Sequence, residues 1–122
     1  MSQEMSDRSF RFALKIIALA RSFPHSVDGA MIARQLLRAG TSIGANIEEA
    51  EAAHSRDDFA YKTGVALREA RETHYWLRLA KESGILDQDG LGDLIGEAEQ
   101  LKKILGAIVS KARGTSRKKR IE

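Results

Sequence analysis

The sequence predicts an all-α fold, an antiparallel up-down-up-down four-helix bundle, from three observations. Four segments carry apolar residues at the spacing of a helix, and Ser, Asp, Pro or Gly residues mark their ends. No segment shows the alternating pattern of a β-strand. The 122 residues include one Pro and no Cys, so few breaks interrupt the helices and no disulfide joins them. Four amphipathic helices joined by short turns pack most simply in alternating directions.

The first helix is predicted from about Asp7 to Ser22, with Ser6 as its N-cap and Pro24 ending it. Its apolar residues fall on two nearly opposite faces. One face carries Phe10, Leu14 and Ile17, and the other carries Phe12, Ile16, Leu19 and Phe23. Because one bundle core covers one face of a helix, we expect the second face to lie in a larger core or against another subunit.

The second helix is predicted to begin between Ser26 and Ala30 and to continue to about His54. Its core-facing apolar residues are Ile32, Leu36, Ala39, Ile43, Ile47 and Ala50. Gly40 and Gly44 lie inside this helix, where each costs about 0.5 to 1 kcal/mol relative to Ala. Two interpretations remain open: another helix approaches closely at these positions, or helix 2 bends or breaks near Gly40.

A polar row borders the apolar face of helix 2. It consists of Gln35, Arg38, Ser42, Asn46 and Glu49. The row is either a site for a ligand or partner, or a set of hydrogen bonds across a helix interface that fix register and subunit orientation. We favour the second interpretation, because a buried Asn has this role in coiled coils. We then expect Glu49 to pair with an Arg of its own chain or of a neighbouring chain.

The third helix is predicted from its N-cap Ser55 to about Glu82, with Ser83 and Gly84 closing it. Its core residues are Phe59, Ala66, Ala70 and Leu77, and a second apolar group contains Tyr61, Val65, Trp76 and Leu79. The remaining side is a basic face formed by Arg68, Arg71, His74, Arg78 and Lys81. These cations either follow a phosphate backbone or form a solvated surface balanced by neighbouring carboxylates, which the slightly acidic body of the chain favours.

The fourth helix is predicted to open at Asp87 to Asp89, and its apolar residues extend to Ala112 over close to half of its circumference. We therefore predict a bundle of residues 6–112, followed by a basic, disordered tail of residues 113–122. Residues 111–122 contain six Lys or Arg and one Glu, a net charge of +5, whereas residues 1–110 contain 14 basic and 16 acidic residues, a net charge of −2. The broad apolar faces of helices 1, 3 and 4 predict a homo-oligomer.

Several classes of function lack support in the sequence. The absence of Cys removes thiol and disulfide chemistry. We expect no membrane span and no signal peptide, and therefore a cytoplasmic protein. Glu51 and His54 have the Glu-x-x-His spacing of di-iron bundles, but such a site needs a second copy and two further inward Glu residues. We expect no metal, no cofactor and no enzymatic activity.

Three segments resemble a known family. They run from Gln35 to Ala39, from Ser42 to Glu49 and from Asp58 to Phe59, and the most specific part is Ser-Ile-x-x-Asn-Ile-x-Glu. In these residues the chain resembles the four-helix-bundle proteins encoded in intervening sequences of bacterial 23S rRNA genes. The chain departs from that pattern at Ala50 and in the basic tail. The resemblance implies a ring-shaped homopentamer without catalytic activity, related to the accessory subunit of diversity-generating retroelements.

Two hypotheses of function follow. The first is a non-enzymatic oligomer that associates with RNA or an RNA–protein complex through cationic residues. Its candidate residues are Arg71, Arg78, Lys111, Arg113, Arg117, Lys118, Lys119 and Arg120. The second is a ring-shaped protein–protein adaptor, for example for a polymerase or reverse transcriptase, which presents Trp76, Tyr61 or the polar row to its partner.

Overall fold

The computed structural model describes the backbone of residues 1–121 and the side chains of residues 1–114. Four helices form the described chain: α1 (Gln3–Arg21), α2 (Val27–Glu51), α3 (Arg56–Glu82) and α4 (Leu91–Ile121). No strand occurs within these bounds, which confirms the predicted all-α class. Each helix packs on two others, α1 on α2 and α4, and α3 on α2 and α4.

Serine residues cap the first three helices, but the cap of α1 differs from the prediction. The side chain of Ser2 accepts a hydrogen bond from the backbone N–H of Met5, so α1 begins near the start of the chain. Ser6, the predicted cap, is buried inside the helix. The earlier start also buries Met5 in the core, an apolar contact that a start at Asp7 would forgo.

The other caps agree with the sequence. Ser26 and Ser55 cap α2 and α3 through hydrogen bonds from the backbone N–H groups of Gly29 and Asp58. Gly84 follows α3 with a φ of +76°, a conformation that a residue without Cβ adopts at no steric cost. Helix α2 ends at Glu51 rather than near His54, because the backbone N–H groups of the next residues bond back to the last turn.

Helix α4 continues past Arg113, where the sequence predicted the bundle to give way to a tail, and is assigned through Ile121. Arg113 and Gly114 are helical, so the predicted boundary does not coincide with a helix end. A helix that has already formed extends at little cost through Lys, Arg and Ser, which explains the difference. The division into a bundle of residues 6–112 and a tail of residues 113–122 stays a prediction.

One hydrophobic core lies between the four helices. All six predicted core residues of α2 are buried, and the buried face of α1 is the one that carries Phe12, Ile16 and Leu19. The opposite face of α1 is open, with Phe10 65% and Leu14 54% exposed. The chain by itself thus covers only one of the two predicted apolar faces. No helix in the described part of the chain combines the length and the apolarity that crossing a bilayer requires.

The two glycines inside α2 mark its contact with α1. Helix α2 is continuous through both, so the interpretation of a break at Gly40 is wrong, whereas a bend there is not tested. An added Cβ at Gly40 would lie 2.8 Å from Cγ2 of Ile16, and one at Gly44 would lie 3.3 Å from Oγ of Ser9. The missing side chains therefore allow α1 to approach the backbone of α2 closely.

A first prediction tests this close approach. Gly40→Ala is expected to lower the free energy of unfolding by about 1–3 kcal/mol, because the new methyl group overlaps a buried, branched side chain. Gly96→Ala in α4 is the control, since a Cβ there meets nothing within 4 Å and should stabilise the helix by up to about 1 kcal/mol. Urea denaturation of both variants measures the difference. Equal stabilisation by both would contradict the close contact.

Candidate functional site

The α2–α3 contact contains an ion-pair cluster around Arg38. Its Nη1 donates to Glu69 at 3.2 Å, and its Nη2 donates to both carboxylate oxygens of Glu72 at 3.0 Å. A single guanidinium therefore joins two carboxylates of the neighbouring helix. This geometry holds α2 and α3 in one register, because the planar fork of Arg fits carboxylates in fixed directions.

Glu69 is the most deeply buried acid among the described residues, with 6% of its surface exposed. Burial raises the pKa of its carboxyl group, the nearby Glu72 raises it further, and the positive charge of Arg38 partly opposes this effect. The native chain therefore takes up the Glu69 proton at a higher pH than the unfolded chain does. Ionised Glu69 costs stability above the folded pKa, and this cost disappears as the pH falls through that pKa.

The remaining members of the polar row stay closer to their own helix. Ser42 donates to the carbonyl oxygen of Arg38, Asn46 donates to that of Ser42, and Gln35 accepts a long bond from Arg38. Glu49 is exposed and has no ion pair with any residue whose side chain is described. Arg38 alone makes the cross-helix bonds predicted for the row, and a role of the row between subunits stays a prediction.

A second ion pair joins α1 to α4 and was not predicted from the sequence. Arg8 donates through Nε and Nη2 to the two carboxylate oxygens of Glu97, at 2.6 and 2.7 Å. This hydrogen bonding lowers the pKa of Glu97 and raises that of Arg8. Both residues sit at the margin of an apolar face, and nothing in their local sequence indicates which residue on another helix they meet.

The α3–α4 contact changes the predicted basic face. The side chain of His74 is only 15% exposed and lies 3.2 Å from a carboxylate oxygen of Glu99, which also binds Lys102 at 2.9 Å. Burial lowers the pKa of His74, and the positive charge of Lys102 lowers it further. His74 is therefore largely neutral at pH 7 and belongs to the helix contact rather than to an exposed cationic surface.

The exposed part of the basic face consists of Arg68, Arg71, Arg78 and Lys81. None of these four has a hydrogen bond or ion pair to a residue whose side chain the structure describes. Near the end of α4, Lys111 and Arg113 are also exposed. The side chain of Arg113 reaches α3, with Nη2 only 3.1 Å from the place where a Cβ of Gly64 would be. The structure thus brings cations of α3 and α4 together.

Four candidates lie where only the backbone is described. The side chains of Arg117, Lys118, Lys119 and Arg120 lie outside the described part of the structure. The helical assignment of α4 covers their backbone. Their role in binding stays a prediction.

Trp76, the candidate for a protein contact, is half-buried against the core. Its ring meets that of Tyr75 edge-on, with centroids 5.2 Å apart. Its Nε1 is buried and has no hydrogen-bond partner among the described residues. Tyr61 and Tyr75 are more accessible, with 66% and 52% of their surfaces exposed.

The Glu-x-x-His segment does not form a helical pair. Glu51 is the last residue of α2 and lies 3.9 Å from the terminal amine, whereas His54 is exposed beyond the helix end. Across the described residues, no group of three or more His, Asp or Glu side chains is placed to hold a metal ion.

Comparisons with known proteins give two similarities. A family model described as "23S rRNA-intervening sequence protein" matches residues 1–107. A crystal structure from Bacteroides thetaiotaomicron, of a protein of unknown function from the S23 ribosomal protein family, is 37% identical in sequence with a TM-score of 0.79. That similarity covers 86% of this chain and 97% of the other. No curated protein matches at a significant level.

A second prediction tests the Arg38 cluster. Arg38→Met is expected to lower the free energy of unfolding by about 1–2 kcal/mol at neutral pH, less than for a fully buried pair, because half of the Arg38 side chain is exposed. The loss should shrink as the pH falls toward the ordinary titration range of a glutamate, because Glu69 then takes up a proton in the native chain.

Arg34→Met is the control for this prediction, since Arg34 is exposed on the same helix and has no ion pair among the described side chains. Urea denaturation at neutral and acidic pH measures both variants. A loss that stayed the same at both pH values would show that Glu69 is not the group left without its partner.

Proposed function

The chain belongs to the family of 23S rRNA-intervening sequence proteins, and on that premise we propose that it is a non-enzymatic oligomer that binds RNA. The proposed contacts are the basic face of α3, through Arg71 and Arg78, and the end of α4. The binding is to the phosphate backbone and therefore independent of base sequence. We also propose that the protein acts in the cytoplasm.

The observation that carries this proposal is that some arginines are paired with carboxylates, whereas others have no carboxylate among the described side chains. Arg8 and Arg38 are neutralised by carboxylates of neighbouring helices, whereas Arg71 and Arg78 have no carboxylate partner in the described structure. Positive charge that the fold does not neutralise is available to an external polyanion. Residues 111–122 carry a further net charge of +5, and Arg113 among them reaches α3.

We infer that the helices alternate in direction, as the sequence predicted. Along α1 and α2, Ser9 faces Gly44 while the later Ile16 faces the earlier Gly40. Along α3 and α4, Gly64 faces Arg113. His74 comes later on α3 than Gly64, and it faces Glu99, which comes earlier on α4 than Arg113. In both helix pairs, residue numbers rise along one helix while the numbers of the facing residues fall along the other. This order supports antiparallel neighbours.

The open face of α1 supports an oligomer. Phe10 and Leu14 are more than half exposed, and their burial against another copy would remove apolar surface from water. The ring of five that the family resemblance implies would bring five cationic segments together. Joining several weak sites in one particle raises the overall affinity for a long RNA.

The described ionisable groups support a non-enzymatic role. Three of the buried or partly buried ones, Glu69, His74 and Glu97, each hold a charged partner on a neighbouring helix. A catalytic acid or base must instead face a space that a substrate can enter. These three side chains serve the helix contacts.

A protein–protein adaptor is the second candidate function. The exposed rings of Tyr61 and Tyr75 are features that favour contact with another protein. A partner that stays bound after nuclease treatment would support this role. RNA that stays bound without a protein would support the first proposal.

A third prediction concerns the end of α4. Replacing Arg117, Lys118, Lys119 and Arg120 with Gln is expected to weaken binding to an RNA hairpin at least about tenfold at low salt, because four phosphate contacts are lost. The salt dependence of binding should fall as well. Fluorescence anisotropy at several salt concentrations measures both effects.

The control removes the same charge elsewhere, by replacing Arg11, Lys15, Arg21 and Arg34 with Gln. These residues lie on α1 and α2, away from the proposed surface. If the two variants lost affinity equally, net charge rather than the end of α4 would govern binding.

A fourth prediction concerns assembly. Light scattering is expected to give a mass of about 68 kDa, five times that of the 13.5 kDa chain. Phe10→Glu combined with Leu14→Glu should yield the single chain, because charges on the open face of α1 resist burial. Val27→Glu is the control, since Val27 is 92% exposed at the start of α2. A folded 13.5 kDa particle for the native protein at micromolar concentration would refute the oligomer.

A further inference from the structure

The contact between α3 and α4 contains a groove with two arginines that have no ion pair among the described side chains. We propose that this groove, next to Arg71 and Arg113, binds a phosphate group of an RNA backbone. The inference rests on the proposed RNA binding and names the place where a phosphodiester is held. It differs from general attraction to a basic surface, because it requires guanidinium groups in a fixed arrangement.

The groove has a volume of about 480 Å³. It is lined by Leu67, Arg71, Gly106, Val109, Ser110, Arg113 and Gly114. This volume is within the range of sites that hold small molecules or parts of larger ones, about 300–1,000 Å³. A phosphate with its attached sugar can therefore enter.

Three glycines keep the groove open and place one of its cations. Nη2 of Arg113 lies 3.1 Å from the position of an added Cβ at Gly64, so the guanidinium rests against the bare backbone of α3. Added Cβ atoms at Gly106 and Gly114 would meet nothing within 4 Å. A side chain at Gly64 would displace Arg113, and side chains at the other two positions would occupy the space of the groove.

The charges of the lining favour an anion. Arg71 and Arg113 contribute two positive charges, and no acidic residue lines the groove. Neither guanidinium has a hydrogen bond or ion pair to a described side chain. One to two helical turns along the same contact, Glu99 lies within ion-pair distance of His74 and Lys102, whereas no carboxylate is among the described residues that line the groove.

The groove between α1 and α4 makes a useful comparison. It has a volume of about 340 Å³, and its lining includes Lys15 together with Asp89, Asp93 and Glu97. Its lining therefore carries a net negative charge and repels a phosphate. The two grooves are of similar size, but only the one between α3 and α4 suits an anion.

The lining also supplies suitable binding groups. Guanidinium groups donate paired, charge-assisted hydrogen bonds to phosphate oxygens, and the hydroxyl of Ser110 can add another donor. Leu67 and Val109 form an apolar wall, both being buried. An apolar wall lowers the local dielectric constant and strengthens the attraction between the arginines and the phosphate.

Arginine replacement tests the proposal on the full chain. Arg71→Gln with Arg113→Gln is expected to weaken binding of an RNA oligonucleotide at least about tenfold at low salt and to reduce the slope of log affinity against log salt by about 0.7, because one phosphate contact is lost. Arg21→Gln with Arg34→Gln is the matched control, because these exposed cations of α1 and α2 do not line the groove. The control should lose less than about threefold. Circular dichroism confirms that each variant folds.

Two further variants separate geometry from charge. Arg71→Lys with Arg113→Lys keeps both charges but removes the paired donors, and is expected to bind RNA more weakly than the native protein. Gly64→Ala moves the Arg113 guanidinium and should have a smaller effect of the same sign. If the Lys variant bound as the native protein does, or the Gln variant matched its control, the groove would not be a built phosphate site.

A titration with dimethyl phosphate distinguishes failure of this inference from failure of the proposed function. In NMR spectra of the native protein, the Nε–H signals of Arg71 and Arg113 should shift with added dimethyl phosphate, and those of Arg68 should not. If the native protein bound no RNA but these shifts appeared, the proposed function would fall and the phosphate site would stand. If the shifts were absent, the site would be refuted whatever the RNA result.

Discussion

The close contact of Ile16 with the bare backbone at Gly40 determines how α1 sits on the bundle. Because a rigid branched side chain fills the space of a missing Cβ, α1 lies deep against α2 with its inner face buried. A helix held at that depth cannot turn its other face inward. Phe10 and Leu14 are consequently left on the outside, and the internal packing of one chain creates the surface that a second chain can cover.

The charged side chains likewise divide into those that are paired at the helix contacts and those that lie on the outer surface. Glu97 neutralises Arg8, Glu69 and Glu72 neutralise Arg38, and the helix contacts thereby gain fixed registers. Among the described side chains, the contact between α3 and α4 has an acid–base pair only at Glu99, which lies beside His74. Toward the end of α4 the carboxylates stop while the arginines continue. A chain with a slightly acidic body can therefore present a local cationic surface.

The features that could be predicted from the sequence are those that depend on the spacing of apolar residues and on the capping residues at the helix ends. The apolar face of α2 and the caps at Ser26 and Ser55 could be derived, because spacing and local hydrogen bonding determine them. Features that depend on a partner in another helix could not. His74 has the spacing of an exposed cation, and only the position of Glu99 shows otherwise. Likewise, Arg113 lies close to α3 because α4 continues past Ala112. The basic composition of this segment predicted a disordered tail instead.

The length of α4 separates opposite charges along one rod. At 31 residues it extends about 46 Å, with Asp87, Asp89 and Asp93 at or before its first turn and the cationic cluster at its far end. This order opposes the backbone dipole of α4, whose positive end is at its N-terminus, and so stabilises both ends of the helix. The full charges of these side chains exceed the half charges of the backbone ends, so they set the direction of the electric dipole along α4. In the electric field of a polyanion, such a dipole would turn the cationic end of the helix toward the polyanion before contact.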